Sequence, residues 1–585
     1  MSFDQYYQDE LAYLNEMGEA FADAYPKLAP FLAQKGHDPD VERLLEGFAF
    51  IAANIRQKLD DELPEITHGL HNLLWPNLLR PVPSVSIVQF TPIENALTNS
   101  AQIQRGVQLD SVPVQDTVCK FKTTSELTLQ PISINYIQAV EKNNRSVLEV
   151  KFTVDSQLTC DQLVMESLQL FLYGDVQSSF SLYQYMFRYL DKVSVYGEDR
   201  DKQKFTLASD VVNTAGLDDD EAMLEYENNS FSGYRLLQEY FSLPHKFLFM
   251  NVSELSKVSS FEGAKTFTLE FEFSQRFHEF MRINDDSLLL HCAPIINLFD
   301  TEADPLRFDQ SRTDYRLRPA NSKQEHYEVY RINNVVAYAF GGKERLEYKP
   351  FVSFDNLNTG EKKEFNFYSE HKKPSVVGSG SDTYLSFISA DKKAYETEAL
   401  TVSIDLQCTN KNLPENLKVG DICVATGTSP EFATFKNIFP PTPSAAAPLH
   451  KDLQWQLISN ISLNYMSLSD IDTLRTILST YNFHAANNRQ AARSQELKLE
   501  AIENISISPI TRLVKGLPVR GHEIELDLRS DPFGSEGEMF LFATILSRFF
   551  ALCASVNSFS ELVVNDLDKG EVYRWPKSTG QKYLI

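Results

Sequence analysis

His68 and His71, in "EITHGLHNLLW", stand one helical turn apart and are the nearest pair among the 11 histidines of the chain. Two imidazoles at that spacing can share a metal ion, but a metal site clusters three or four ligands. No Cys or carboxylate motif completes this pair, so a surface or packing role is expected and no metal is assigned. "HEIEL" from His522 begins like a zinc-protease helix, yet it lacks the second His and alternates as a strand does. "VVGSGSD" (Val376 to Asp382) lacks the Lys and spacing of a phosphate-cradling loop and does not match a nucleophile elbow; a turn is expected there. The run Asp218, Asp219, Asp220 and Glu221 lacks the spaced ligands and Gly of a calcium loop, and "GLDDDEAMLEYENNSFSG" reads as a solvated acidic excursion. Eighty acidic residues supply many accidental carboxylate pairs, so spacing in sequence singles out no acid–base couple. No catalytic residue and no cofactor is assigned.

Charge excludes two classes of partner. Lys plus Arg is 55 against 80 Asp plus Glu, a net charge of −25, which repels phosphate backbones and anionic lipid. "RLVKGLPVR" (Arg512 to Arg520) is the best basic stretch, and it is short and set in acidic sequence. No nucleic acid and no direct membrane insertion are expected. The start, "MSFDQYYQDELAYLNEMGEA", has neither a basic leader nor an apolar run, which predicts a cytoplasmic protein. "MFLFATILSRFFALCASV" (Met539 to Val556) carries Arg548 at its centre, where lipid would make a charge costly, so it reads as a buried helix with Arg548 paired or at its edge. The six cysteines form no C-x-x-C pair and read as reduced, buried thiols.

The elements that must position any site change character along the 585 residues. Residues 1–82 read as helical. Tyr7, Leu11, Leu14, Gly18, Phe21 and Tyr25 repeat at four and three, and a second helix follows Asp38 and Pro39 to about Glu62. Its apolar positions include Val41, Leu44, Leu45, Phe48, Ile51, Ala52, Ile55 and Leu59, with Gly47 and Ala49 on a narrow flank where another backbone can approach. That is more apolar surface than one antiparallel neighbour covers. Two uses fit it: packing on this chain's own third helix, or a helix of a partner. From "RPVPSVSIVQFTP" onward short β-branched and aromatic segments predict strands, in a β-rich middle over 83–330 and a second β-rich part over 331–440. "PPTPSAAAPLH" reads as a linker to an αβ unit over 450–585, in which "LSDIDTLRTILSTY" is a helix capped by Ser469, "GHEIELDL" a strand and "ELVVNDL" a closing strand. The class is α+β, multi-domain, with an N-terminal segment of long helices, a β-rich middle and an αβ C-terminal domain.

Long ordered blocks then carry a resemblance. "YYQDELAYLNEMGEAFADAYPKLAPFLAQKGHDPDVERLLEGFAFIAANIRQKLDDELPEI", "LLWPNLLRPVPSVSIVQF", "SGYRLLQEYFSLPHKFLFM", "LHCAPIINLF", "QCTNKNLPENLKVGD", "WQLISNISLNYMSL" and "FLFATILSRFFALCASVNSF" resemble, in this order, the TssF family of type VI secretion baseplate subunits. The match departs at His37, where a small residue is expected, and at His245, where an acidic or polar one is. The resemblance implies a structural part without catalysis, similar to the wedge proteins of contractile phage tails. It implies a wedge of two copies of this chain and one TssG, joined through a helical bundle that would use Val41 to Leu59. Further implied neighbours are TssK, TssE, the VgrG spike and adjoining wedges, with recruitment to the inner-membrane secretion complex, anchoring of the tail and triggering of sheath contraction. The competing classes are a carboxylate-dependent hydrolase with its site in the β-rich middle, marked by a deep pocket of convergent acids, and a free-standing binding module.

Overall fold

The computed structural model describes residues 7–8, 11–14, 39–60, 68–69, 71–73 and 75–580, except 143, 156, 199–202, 227–229, 309–311, 321–322, 339–344, 352–365, 376–379, 390–399, 448, 450–456, 458–466, 484–488 and 515–516. Helices and many strands are present, as the α+β class requires. The principal helices among the described residues are α1 (Pro39–Asp60), α2 (Val176–Gln184), α3 (Ser232–Ser242), α4 (Ile471–Thr480), α5 (Arg489–Glu500) and α6 (Glu536–Cys553). Residues 7–8, 11–14, 68–69 and 71–73 are also helical; the rest of the first apolar seam, the expected Asp38 cap and positions 376–379 of the "VVGSGSD" turn lie outside the described residues.

Four of the sheets are antiparallel or mixed assemblies of strands far apart in sequence. A six-stranded sheet pairs Val85–Pro92 with Cys292–Ile296 on one side and with Ala433–Asn437 on the other. A five-stranded sheet is centred on Thr266–Phe273, between Arg145–Val154 and Leu190–Tyr196. A four-stranded sheet runs through Phe249–Val252 and Leu168–Leu172, and an eight-stranded one is built around Leu400–Thr409 and Glu328–Tyr338. Alternation explains the strands locally: Thr117–Thr123 buries every second residue, as one covered face demands.

The C-terminal sheet has a parallel pair, Leu517–Leu528 with Phe559–Asp566, and α6 makes the crossover between them. Helix α6 is apolar on nearly all sides because nearly all sides are covered: it packs against α2, α3 and the strand Phe559–Asp566. Its Ser535 cap accepts from Glu538 N at 3.2 Å. Arg548 leaves the apolar run to bond Asp218 at 2.7 Å, the paired arrangement anticipated for it. Gly537 lets α2 approach, since a Cβ there would lie 2.0 Å from the Phe180 carbonyl oxygen. Gly537→Ala is therefore expected to destabilise the chain by about 1–3 kcal/mol, although it gains about 1 kcal/mol of helix propensity. A urea midpoint equal to that of the unmodified chain would contradict this packing.

Several expectations change. Helix α4 is capped by Asp470, not Ser469: the Asp470 carboxylate accepts from Thr473 N at 2.9 Å and from its hydroxyl at 2.7 Å, while Ser469 ends the preceding 3-10 turn. The strand Phe559–Asp566 is central rather than closing, since Val572–Arg574 and Ser578–Thr579 both pair with it afterwards. The segment from Pro440 is held rather than free: Thr442 N bonds Val85 O and Ala445 pairs with Val82, which buries Ala445. Cys423 is exposed because it sits on an outward position of the edge strand Ile422–Val424, whereas Cys119, Cys160, Cys292 and Cys408 are buried.

Candidate partner-binding surface

Helix α1 divides most of its described apolar residues between two faces, with Phe50, 53% exposed, on neither. Ala49 and Ala53, one turn apart, are both fully buried, and Ala52 beside them is half-buried. Leu44, Phe48, Ile51 and Ile55, spaced four, three and four, remain 74, 60, 57 and 56% exposed. At 3.6 residues per turn these four fall within about 60° of arc, roughly opposite the two alanines. The chain thus covers the narrow face and leaves the wide one open. Gly47 is exposed next to that stripe, and a Cβ there would meet nothing within 4 Å. The side chains of Val41, Leu45 and Leu59 lie outside the described part of α1. Scattered exposed apolar residues are ordinary; four in a stripe along one helix mark an interaction site.

The segment after α1 is anchored to the body. His68 and His71 are buried, which settles them as packing residues rather than surface ones. His71 O accepts from Trp75 N at 2.6 Å. The Trp75 ring lies 4.8 Å from that of Tyr234, which stacks on Tyr481 at 4.4 Å. Among the described residues no group of three or more His, Cys, Asp or Glu is placed to hold a metal ion.

The acidic excursion is in part solvated and in part a strap: Asp218, Asp219 and Asp220 are exposed, whereas the apolar triplet that follows them is covered. Ala222, Met223 and Leu224 are buried, and several of the carboxylates around them find a cation or a backbone donor. Asp219 bonds Arg235 at 2.8 Å, and Glu225 meets Lys122 at 3.2 Å and Arg331 at 3.3 Å. Glu221 accepts from Gly216 N; burial pushes its carboxyl above the usual range despite that bond and the nearby Lys246. Beneath the strap Glu239, fully buried, accepts from Met223 N at 2.8 Å and Leu224 N at 2.9 Å and pairs with the buried Lys246. Burial depresses the Lys246 ammonium, and Glu239 works in the opposite direction. The sequence signal for this strap was available in "AML", an apolar triplet inside the acidic run.

A cleft of about 580 Å³ opens between α2, α6 and the strand Val572–Arg574. Its described lining includes one carboxylate, Asp218, already bonded to Arg548. Two carboxyls that burial raises, Glu221 and Glu415, do not line it. Facing acids of the kind a carboxylate-dependent hydrolase needs are therefore not what this cleft presents. No described helix is long and apolar enough to cross a membrane.

The family model "Type VI secretion system, TssF" matches residues 1–582. The chain is 29% identical to the type VI secretion system component TssF1 of Pseudomonas aeruginosa, over 99% of this chain and 98% of that protein. A solved chain of a type VI secretion TssK-TssF-TssG baseplate subcomplex superposes with a TM-score of 0.77 and 29% identity, covering 92% of this chain and 98% of its own. A second, from a type VI secretion baseplate complex, gives 0.67 at 25% identity over the full length of both.

Proposed function

We propose, from the premise that the chain belongs to the TssF family of the type VI secretion system, that it is a structural baseplate subunit which assembles with TssG and TssK. The observation that carries the reading is the open stripe Leu44, Phe48, Ile51 and Ile55 on a helix whose opposite face is already covered. Burying one such side chain contributes about 1.5–3 kcal/mol, so a helix laid along four of them has a strong driving force. Residues 1–82 are the partner-binding segment in this reading, with Val41, Leu45, Gly47, Ala52 and Leu59 flanking the contact. Two copies of the chain and one TssG would share the bundle as a wedge, and TssE, the VgrG spike and neighbouring wedges would surround it. Holding the tail and passing a conformational change to the sheath follow from that position, as does cytoplasmic placement against the inner-membrane complex. Likeness to solved baseplate chains over nearly the whole length supports the body of this assignment.

Co-expression with TssG from the same system tests it. The expected result is a stable complex that holds two copies of this chain for each TssG. A well-behaved monomer that ignores TssG would remove the reading. Gly47→Leu refines the test: the substitution meets open space in the free chain but adds bulk beside the stripe. It should leave the free protein as stable as before, or slightly more so, and weaken assembly by about tenfold or more through overpacking. Unchanged or tighter assembly would put Gly47 outside the interface.

A further inference from the structure

The C-terminal sheet carries a hairpin longer than the sheet that supports it. Its strands, Ile502–Val514 and Leu517–Leu528, pair from end to end, but the next strand joins the second of them only from Gly521, opposite Phe559, onward. Thr511 to Arg520 thus form a two-stranded finger that has no third strand on either side among the described residues. Such a ribbon is marginally stable in water unless a further strand or another element covers it. Thr511, Arg512, Leu513, Pro518 and Arg520 are all exposed, Leu513 at 73%.

Charge sets the finger apart from the rest of the chain. "TRLVKGLPVR" holds Arg512, Lys515 and Arg520 and no acid, in a protein whose net charge is −25. Arg512 shares Glu523 and Glu561 with Arg574, at 3.5 to 4.0 Å, so those four charges balance. Arg520 meets no carboxylate among the described residues, and Lys515, between the two strands, adds a second charge that no acid of the finger answers. The surplus is positive, and it sits beside an exposed leucine on an unpaired strand edge.

We propose that the finger takes an extended acidic segment of another protein as its third strand, along the open edge Ile510–Val514. Backbone hydrogen bonds to an unpaired edge supply affinity, and alternate side chains supply the choice of guest. Pro509, which has no N–H, interrupts the same edge on the side of the body and so confines the guest to the finger. Leu513 stands opposite Pro518 and Thr511 opposite Arg520, and because residues two apart share a face, all four lie on one face. A guest strand therefore sets an apolar side chain against Leu513 and a side-chain carboxylate on each side of it. One carboxylate reaches over the short Thr511 to Arg520, about 10 Å or two strand spacings away. The other points to the end of the finger that carries Lys515. The finger shares no residue with α1, so it stands whether or not α1 binds TssG.

Fluorescence anisotropy on the full chain tests the proposal with a labelled heptapeptide, Thr-Glu-Thr-Val-Thr-Glu-Thr amide, whose pattern reads the same in both strand directions. Saturable binding with a dissociation constant below about 1 mM is expected. The peptide with Gln in place of both Glu should bind at least about tenfold more weakly. Arg520→Gln and Leu513→Ser, both at exposed positions that the fold does not need, should each weaken the acidic peptide by about fivefold. Strand pairing is tested separately by N-methylating the Glu and Val nitrogens in one peptide and the inner Thr nitrogens in another. Donors of a strand point to opposite edges at alternate residues, so one of the two should lose about tenfold and the other less than about threefold. Absence of binding by the unmodified chain, equal binding of the Gln peptide, equal effects of the two methylated peptides, or affinities unmoved in the variants would overturn the proposal. Co-sedimentation with phosphatidylserine vesicles that Arg520→Gln abolishes would also overturn it, by assigning the finger to lipid.

Discussion

The double variant Leu44→Asp, Phe48→Asp is expected to lose co-purification with TssG while melting at the temperature of the unmodified chain. Both residues are exposed in the free protein, at 74 and 60%, so a carboxylate there is hydrated and costs the fold little. In a helical interface the same two carboxylates must leave water without a partner, a penalty of several kcal/mol each. An affinity change of four or more orders of magnitude follows, since about 1.4 kcal/mol is tenfold. The combination of intact melting and lost capture separates an interface from a core. If the folded double variant captures TssG at full yield, this face of α1 is not where TssG binds.

The second large effect lies far from α1. Glu239→Ala removes the carboxylate under the strap, stranding the Lys246 ammonium and the backbone donors of Met223 and Leu224, all buried. Breaking one partner of a buried pair costs about 3–5 kcal/mol. Arg235 loses its 3.8 Å contact with the same carboxylate, which adds to the loss. The double variant Glu239→Ala, Lys246→Met should recover part of the stability, because no unpaired charge is left behind. Denaturant unfolding measures both. A loss below about 1 kcal/mol for Glu239→Ala would mean the strap is not held by this pair.

How far these features could be read from residues alone depended on whether they were local. Helix α1 and helix α6 follow from periodicity, Pro39 and the apolar density around Met539 to Cys553. Strands such as Thr266–Phe273 follow from β-branched and aromatic alternation. Pairing does not: nothing in "VSIVQFTP" says that its neighbours come from Cys292–Ile296 and Ala433–Asn437, because alternation fixes a face and carries no partner. What the segment from Pro440 and the strap at Gly216 pack against was hidden for the same reason. Composition suggests exposure in both, and Asp218 to Asp220 are exposed, whereas Ala445 is held by Val82 and Ala222, Met223 and Leu224 are buried. The stripe on α1 was legible as apolar, but which of its two faces the chain covers itself needed coordinates: the alanines are buried and the large residues are not. The cleft between α2, α6 and Val572–Arg574 was out of reach, since Arg188, Arg548 and Tyr573, which line it, come from three separate segments.

The central claim, that the open stripe of α1 is covered by a partner in the baseplate, is tested most directly by cysteine labelling at its midpoint. Ile51→Cys is introduced together with Cys423→Ser, which removes the exposed native thiol. Maleimide labelling is then timed for the free chain and for its complex with TssG. Ile51 is 57% exposed in the free chain, so labelling there should be fast. In the complex it should slow by about a hundredfold, as for a thiol in a well-packed interface core. Equal rates in the free and assembled protein would contradict the claim.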